Sequence, residues 1–132
     1  MAPVKAYISS VFPTLKYVIT ICTGSALLAS TGLLDNRRAT TNKATWSTVT
    51  ALRPQVKWVG KARWVVDDTP ALTPVWSSSG VAAGMDVTFA FIDMLHGEEV
   101  ARKVADLMEY ERHEDGAWDP FADVWGVKTD LH

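Results

Sequence analysis

A single cysteine, Cys22, occurs in the 132 residues, so no intrachain disulfide can form and no cysteine-based zinc site exists. A lone thiol fits a reducing compartment better than secretion. Charge of one sign is also lacking: 13 basic against 15 acidic residues give a net charge of −2. The strong positive field that draws nucleic acid or anionic lipid is absent, and the pair Arg37–Arg38 does not restore it. No apolar run is long enough to span a bilayer, and the most apolar stretch, residues 80–96, is interrupted by Asp86 and Asp93. Lys5 and Lys16 break up the N-terminal region, which has no signal-peptide core. Only three histidines occur. These absences lead us to expect a soluble, cytoplasmic protein with no nucleic-acid or membrane partner and no metal or cofactor.

What is present is a globular composition, 48% apolar with six tryptophans, enough for one domain with a core. Val4, Ile8, Val11 and Phe12 recur at helical spacing, and Pro13 ends the helix they predict. Residues 17–22 are a short, nearly all-apolar, β-branched run, the pattern of a strand buried on both faces. Residues 25–30 read as a helix closed by Gly32, 37–41 as a short strand, and 46–52 as a helix stopped by Pro54. Residues 56–67 hold two strand segments around Gly60–Lys61, a hairpin-like unit adding an antiparallel edge. Residues 67–70 are turn chemistry and 75–78 another strand, while 80–95 is apolar almost all round and should pack on most sides.

In residues 98–112, Val100, Val104, Leu107 and Met108 form an apolar stripe, with Glu98/Arg102 and Glu99/Lys103 as i,i+4 ion pairs on the wet side. Trp118, Phe121 and Trp125 lie in an aperiodic tail across the body. They either pack on their own core or anchor a subunit interface, as in a homodimer. Helices alternating with short buried strands predict an α/β fold: a three-layer α/β/α sandwich, flavodoxin-like, with a mainly parallel sheet.

The sharpest chemical feature is residues 18–28, where a buried strand runs into Cys22, then Thr23, Gly24 and a helix. This is the order of a nucleophile elbow, which lifts a reactive side chain above a sheet. Gly24 is expected to let the turn close without a clash. The helix N-terminus favours thiolate, and the amides of Thr23 and Gly24 face a developing oxyanion. A free cysteine ending a core strand fits the same residues, and the local pattern leaves both readings open.

Other candidates have blander readings. His96, His113 and His132 lie near or beyond helix ends as solvated side chains, and Asp35, Asp67 and Asp68 are turn and loop residues. Ser77–Gly80 lacks the lysine of a phosphate loop and serves capping and packing. Residues 111–115 are acidic without the ligand loop of an oxygen cage, hence a solvated face.

Residues 21–29 and 32–41 resemble the elbow and following segment of the ThiJ/PfpI superfamily, which has the class I glutamine amidotransferase-like fold. Residues 76–86 resemble a second signature of that family. Residues 109–115 with 119–122 are similar to the C-terminal ends of its isonitrile-hydratase-like branch. The resemblance implies Cys22 as nucleophile and Thr23 as support for the covalent intermediate, with Gly24 and Asn42 close to substrate. Where many members carry a histidine as base, this chain has Asn42, which cannot take a proton near neutral pH. The family's acidic residue and opening strands lie upstream of the elbow and have no counterpart here. Residues 1–132 are therefore expected to form a single, partial domain, the later part of a larger one.

The resemblance implies an isonitrile hydratase-like lyase, in which the Cys22 thiolate attacks a small electrophilic carbon and water releases an N-substituted formamide. The alternative is a non-catalytic or redox-sensing member that keeps the elbow thiol and lacks the acid. A glyoxalase or deglycase fits less well, because those members lean on the missing histidine.

Overall fold

The computed structural model describes residues 2–127. Helix α1 (Ala2–Val11) tightens into a 3-10 turn over Phe12–Thr14 that carries Pro13 in its first turn, where a missing N–H costs nothing. Strand β1 (Val18–Ile21) follows, then α2 (Gly24–Ser30), β2 (Arg38–Ala39), α3 (Trp46–Leu52) and β3 (Lys57–Trp58). The second half contains β4 (Trp64–Asp67), β5 (Val75–Ser78), α4 (Val81–His96), α5 (Glu98–Leu107) and α6 (Pro120–Val124).

The fold is mixed α/β, with helices around a small mixed sheet. Its order is β1-β5-β4, with β5 central and all four of its residues buried. β1 runs parallel to β5 in the register Val18↔Val75 to Ile21↔Ser78, and β4 runs antiparallel to β5 from Trp64↔Ser78 to Asp67↔Val75. β2 and β3 form a separate parallel pair. The core gathers Leu28, Leu34, Trp46, Val49, Val56, Trp58 and Val75 beneath α2 and α3. Trp58 is fully buried, meets Trp46 edge to face at 6.2 Å, and donates its indole N–H to Arg53 O at 3.0 Å. One such ring contributes about 4–6 kcal/mol before entropy, at roughly 25 cal/mol per Å² over 150–250 Å².

Several expectations are corrected here. The 56–67 unit is not a hairpin: β3 pairs with β2, while the antiparallel partner of β4 is β5. β1 is an edge strand, with Ile21 43% exposed and Val18 and Ile19 half-buried, so it is not covered on both faces. α4 buries Ala83, Gly84, Asp86, Val87 and Phe89 but leaves Val81, Met85, Met94 and Leu95 exposed, so it packs on one face. On α5 the small residues Ala101 and Ala105 make the close approach, while Val100, Leu107 and Met108 are exposed. Only the Glu98–Arg102 contact forms there as an ion pair among the described residues, at 3.8 Å between exposed side chains. Trp118, Phe121 and Trp125 are each more than half exposed; Ala122 and Val127 join the core instead. α4 is entered from Gly80 with no side-chain cap, so the serines pack without capping: Ser78 Oγ donates to Thr20 O at 2.9 Å, and Ser77 Oγ accepts from Thr40 N at 2.9 Å.

Candidate active site

β1 ends by delivering Cys22 at φ 57°, a left-handed conformation that side chains beyond glycine rarely adopt. Four hydrogen bonds hold it there. Its N–H is shared between Ser79 O at 2.8 Å and Ser78 O at 3.3 Å, continuing the β1–β5 ladder one step past the strand. Its carbonyl accepts from Ser25 N at 3.2 Å and from the Thr41 hydroxyl at 3.0 Å. A buried hydroxyl pair, Thr20 and Ser25 at 2.7 Å, staples strand to helix beneath the turn. The strain of the turn therefore sits on the cysteine itself. A Cβ added at Gly24 would meet nothing within 4 Å, so its small size is not what allows the turn to close.

The half-buried Cys22 opens on a cavity of about 340 Å³. Asn42 lines it too, buried, with its Oδ1 accepting from Thr45 Oγ1 at 2.9 Å and in reach of Thr41 Oγ1 at 3.2 Å. Thr23 and Gly24 do not line it. Thr23 is exposed at the N-cap of α2, and Gly24 lies on a separate apolar groove between α1 and β1. Their backbone N–H groups belong to the start of α2, where helix geometry supplies no acceptor.

Three charged residues that sequence reasoning did not single out line the same cavity: Lys43, Arg63 and Asp119. All are buried. Lys43 Nζ bonds Thr40 Oγ1 at 2.9 Å, Thr41 O at 3.0 Å and Ala62 O at 2.8 Å, and lies 3.6 Å from Asp119 Oδ2. Arg63 pairs with the fully buried Asp86, through Nε at 2.9 Å and Nη2 at 2.8 Å, and its Nη1 is 3.6 Å from Asp119 Oδ1. Asp86 also accepts from Tyr110 OH at 2.9 Å and His113 N at 3.0 Å. Burial and this carboxylate push the Tyr110 phenol above its ordinary value, against a smaller opposing effect of Arg63. The signal for Lys43 was its place directly after Asn42; for Asp86, it was an anion within the most apolar stretch, while Arg63, close to Lys57 and Lys61, carried none.

The remaining predicted candidates lie elsewhere. Asp35 pairs with Arg53, whose hydrogen bonds hold its carboxyl below the usual range. Asp67 is not a loop residue: it ends β4, buried, and binds Arg37 through Nε at 3.0 Å and Nη2 at 2.9 Å. Asp68, His96 and His113 are exposed, and His132 lies outside the described residues. Among the described residues no three His, Cys, Asp or Glu side chains converge as metal ligands, and no helix is long and apolar enough to cross a membrane.

A strained cysteine between a parallel strand and a helix, open to a cavity in an α/β frame, defines a class of thiol-bearing domain. The chain belongs to the DJ-1/PfpI family, whose profile matches residues 2–94. It is 33% identical over 95 residues to an isonitrile hydratase of Pseudomonas putida, a match taking in 72% of this chain and 38% of that protein. The chain thus spans well under half the length of that relative. A crystal structure of an AraC family transcriptional regulator from Pseudomonas putida superposes with a TM-score of 0.59 at 14% identity, over 80% of this chain and 52% of that one. That likeness is one of fold. Asp119 and α6 lie beyond the segment the family profile matches.

Proposed function

We propose that the chain carries the thiol centre of an isonitrile hydratase-like enzyme acting on a small molecule. Cys22 Sγ adds to the terminal carbon of the isonitrile and its proton passes to that carbon, giving an S-linked thioimidate. Water then adds at the same carbon, the C–S bond breaks, and an N-substituted formamide leaves with the thiol restored. The observation that carries this reading is the left-handed Cys22 at the mouth of the cavity, since strained backbone persists where surrounding structure over-determines it. Asn42 supplies the cavity with a neutral polar wall.

The same reading takes residues 1–132 as part of one larger, three-layer α/β/α domain of flavodoxin-like type. It places the protein in the reducing cytoplasm, where the thiol stays free, and pairs it as a homodimer through the exposed tail aromatics. Purified protein is tested for isonitrile consumption beside Cys22→Ser. Product formation lost in the variant supports the reading, and equal activity in the two ends it.

A second reading is favoured by a different observation: a half-buried thiol that shares its cavity with the cations Lys43 and Arg63 is the setting of an oxidisable cysteine. Sulfenic acid at Cys22 under mild peroxide, with no turnover of isonitrile, would select this redox-sensing role.

A further inference from the structure

The Cys22 cavity is charged beneath its surface and apolar where a ligand can touch it. Lys43, Arg63 and Asp119 line it but are buried, and they are engaged with the protein. Lys43 Nζ bonds Thr40 Oγ1, Thr41 O and Ala62 O, and Arg63 turns Nε and Nη2 to Asp86. Asp119 lies between them, 3.6 Å from each cation. The accessible lining is of another kind: Val81 is 75% exposed, Phe121 51% and Trp125 58%.

Phe121 and Trp125 stand four residues apart, so α6 and the turn that closes it carry both on one face, with Trp125 N donating to Phe121 O at 3.1 Å. The rest of this segment is anchored. Ala122 and Val127 sit in the core, and Val127 N donates to Ala122 O at 2.7 Å. Asp119 N donates to Lys61 O at 2.7 Å, and Asp119 Oδ1 caps α6 by accepting from Phe121 N at 3.1 Å. A fixed segment thus brings two rings to the cavity. Among the described residues neither ring meets another aromatic. Small-molecule cavities run from roughly 300 to 1,000 Å³, and this one, at about 340 Å³, has room for one ring rather than a long chain.

We propose that Phe121 and Trp125 are specificity-determining residues of the Cys22 cavity, selecting a reactive molecule that bears a neutral, flat aromatic group. A flat ring stacks on such a wall, whereas a saturated ring of similar size fills the space without stacking. A charged group would lose its water against apolar side chains. The substrate this names, an aryl isonitrile with its terminal carbon at Cys22 and its ring against α6, rests on the isonitrile reading above. The aromatic wall itself is testable without it.

The test is labelling of Cys22 by N-phenyliodoacetamide and N-cyclohexyliodoacetamide, read by intact mass, with each rate divided by that of the same reagent on glutathione. The wild-type chain should take the phenyl reagent about two- to tenfold faster, the ratio a stacking contact supplies. Trp125→Leu and Phe121→Leu keep an apolar side chain at positions more than half exposed, so the core is untouched, and each should bring the ratio toward one. Trp118→Leu is the reference: Trp118 is 54% exposed but does not line the cavity, and its loss should leave the ratio unchanged. A ratio of one in the wild type, or one that survives both cavity variants, overturns the assignment. An equal loss in Trp118→Leu overturns it too, because the effect would then belong to the tail aromatics at large, subunit pairing included. With phenyl and cyclohexyl isonitrile, kcat/KM should follow the same order, and turnover without a phenyl preference counts against the proposal. If neither isonitrile is consumed while the labelling ratios behave as stated, the isonitrile reading alone fails and the aromatic wall stands.

Discussion

The backbone of Cys22 can be tested apart from its sulfur. At φ 57° an L residue with a Cβ carries about 1–2 kcal/mol of steric cost that glycine does not. Glycine costs roughly 0.5–1 kcal/mol relative to alanine in chain entropy. The difference leaves Cys22→Gly more stable than Cys22→Ala by about 0.5–1 kcal/mol, or roughly 2–4 °C in melting temperature for a chain of this size. Alanine is the proper reference, because both variants lose the same half-buried sulfur and differ only in the Cβ. Urea denaturation of the two, read by tryptophan fluorescence, gives the difference at equal m-value. The usual order, alanine above glycine, would mean that the turn does not hold its cysteine in the left-handed region. The nucleophile-elbow reading would then lose its geometric basis.

Asp67→Asn should cost about 3–5 kcal/mol, because it leaves Arg37 buried without a counter-charge; a loss under about 1 kcal/mol in chemical denaturation would contradict the pairing. Burial pushes the Asp67 carboxyl up, but hydrogen bonds from Thr69, the Arg38 amide and Arg37 outweigh it and hold it below its ordinary value. Its contribution is therefore full above the unfolded value near 3.8 and is lost as pH falls through the lower folded one, so the wild type should lose more stability than Asp67→Asn on acidification. Tyr110 has the opposite sign: its raised folded value means stability present below pH 10 is lost as pH rises further, and Tyr110→Phe should flatten that alkaline decline in a pH series of melting curves. Gly84→Ala places a Cβ 2.5 Å from Ile21 Cγ2, next to the cysteine. It should destabilise by about 1–3 kcal/mol and change Cys22 alkylation, while Gly84→Ala with Ile21→Ala restores both; additive effects would refute the contact.

Helix positions are the most legible part of the fold. Residues 46–52 announce α3 through their periodicity and the following proline, and 75–78 announce β5 through an apolar run. Strand partners are not legible, because β3 and β4 are joined by a short turn-forming segment that is equally consistent with a hairpin. The apolar stripe on α5 misleads for a physical reason: hydrophobicity marks a face, whereas close helix packing selects the small Ala101 and Ala105. In the site, the turn at Cys22 is readable from strand, thiol and helix in order, but the pattern points to Gly24 for a conformational cost that Cys22 carries. Asp119 is hidden by its own local logic, since aspartate before proline reads as a helix cap. It is one, and only the tertiary fold reveals that the residue also lines the Cys22 cavity between Lys43 and Arg63.

The edge position of β1 sets how firmly the thiol is held. Val18 and Cys22 turn their N–H groups toward β5, so by strand alternation those of Ile19 and Ile21 point outward. Among the described residues the reactive turn hangs from one ladder, four residues long, with its outer side bare. Hydrogen exchange should therefore split along the strand, with Ile19 and Ile21 fast and Val18 and Thr20 slow. The stiffness of the nucleophile is then a local quantity, set by the opening of a single pair of strands rather than by the stability of the whole molecule.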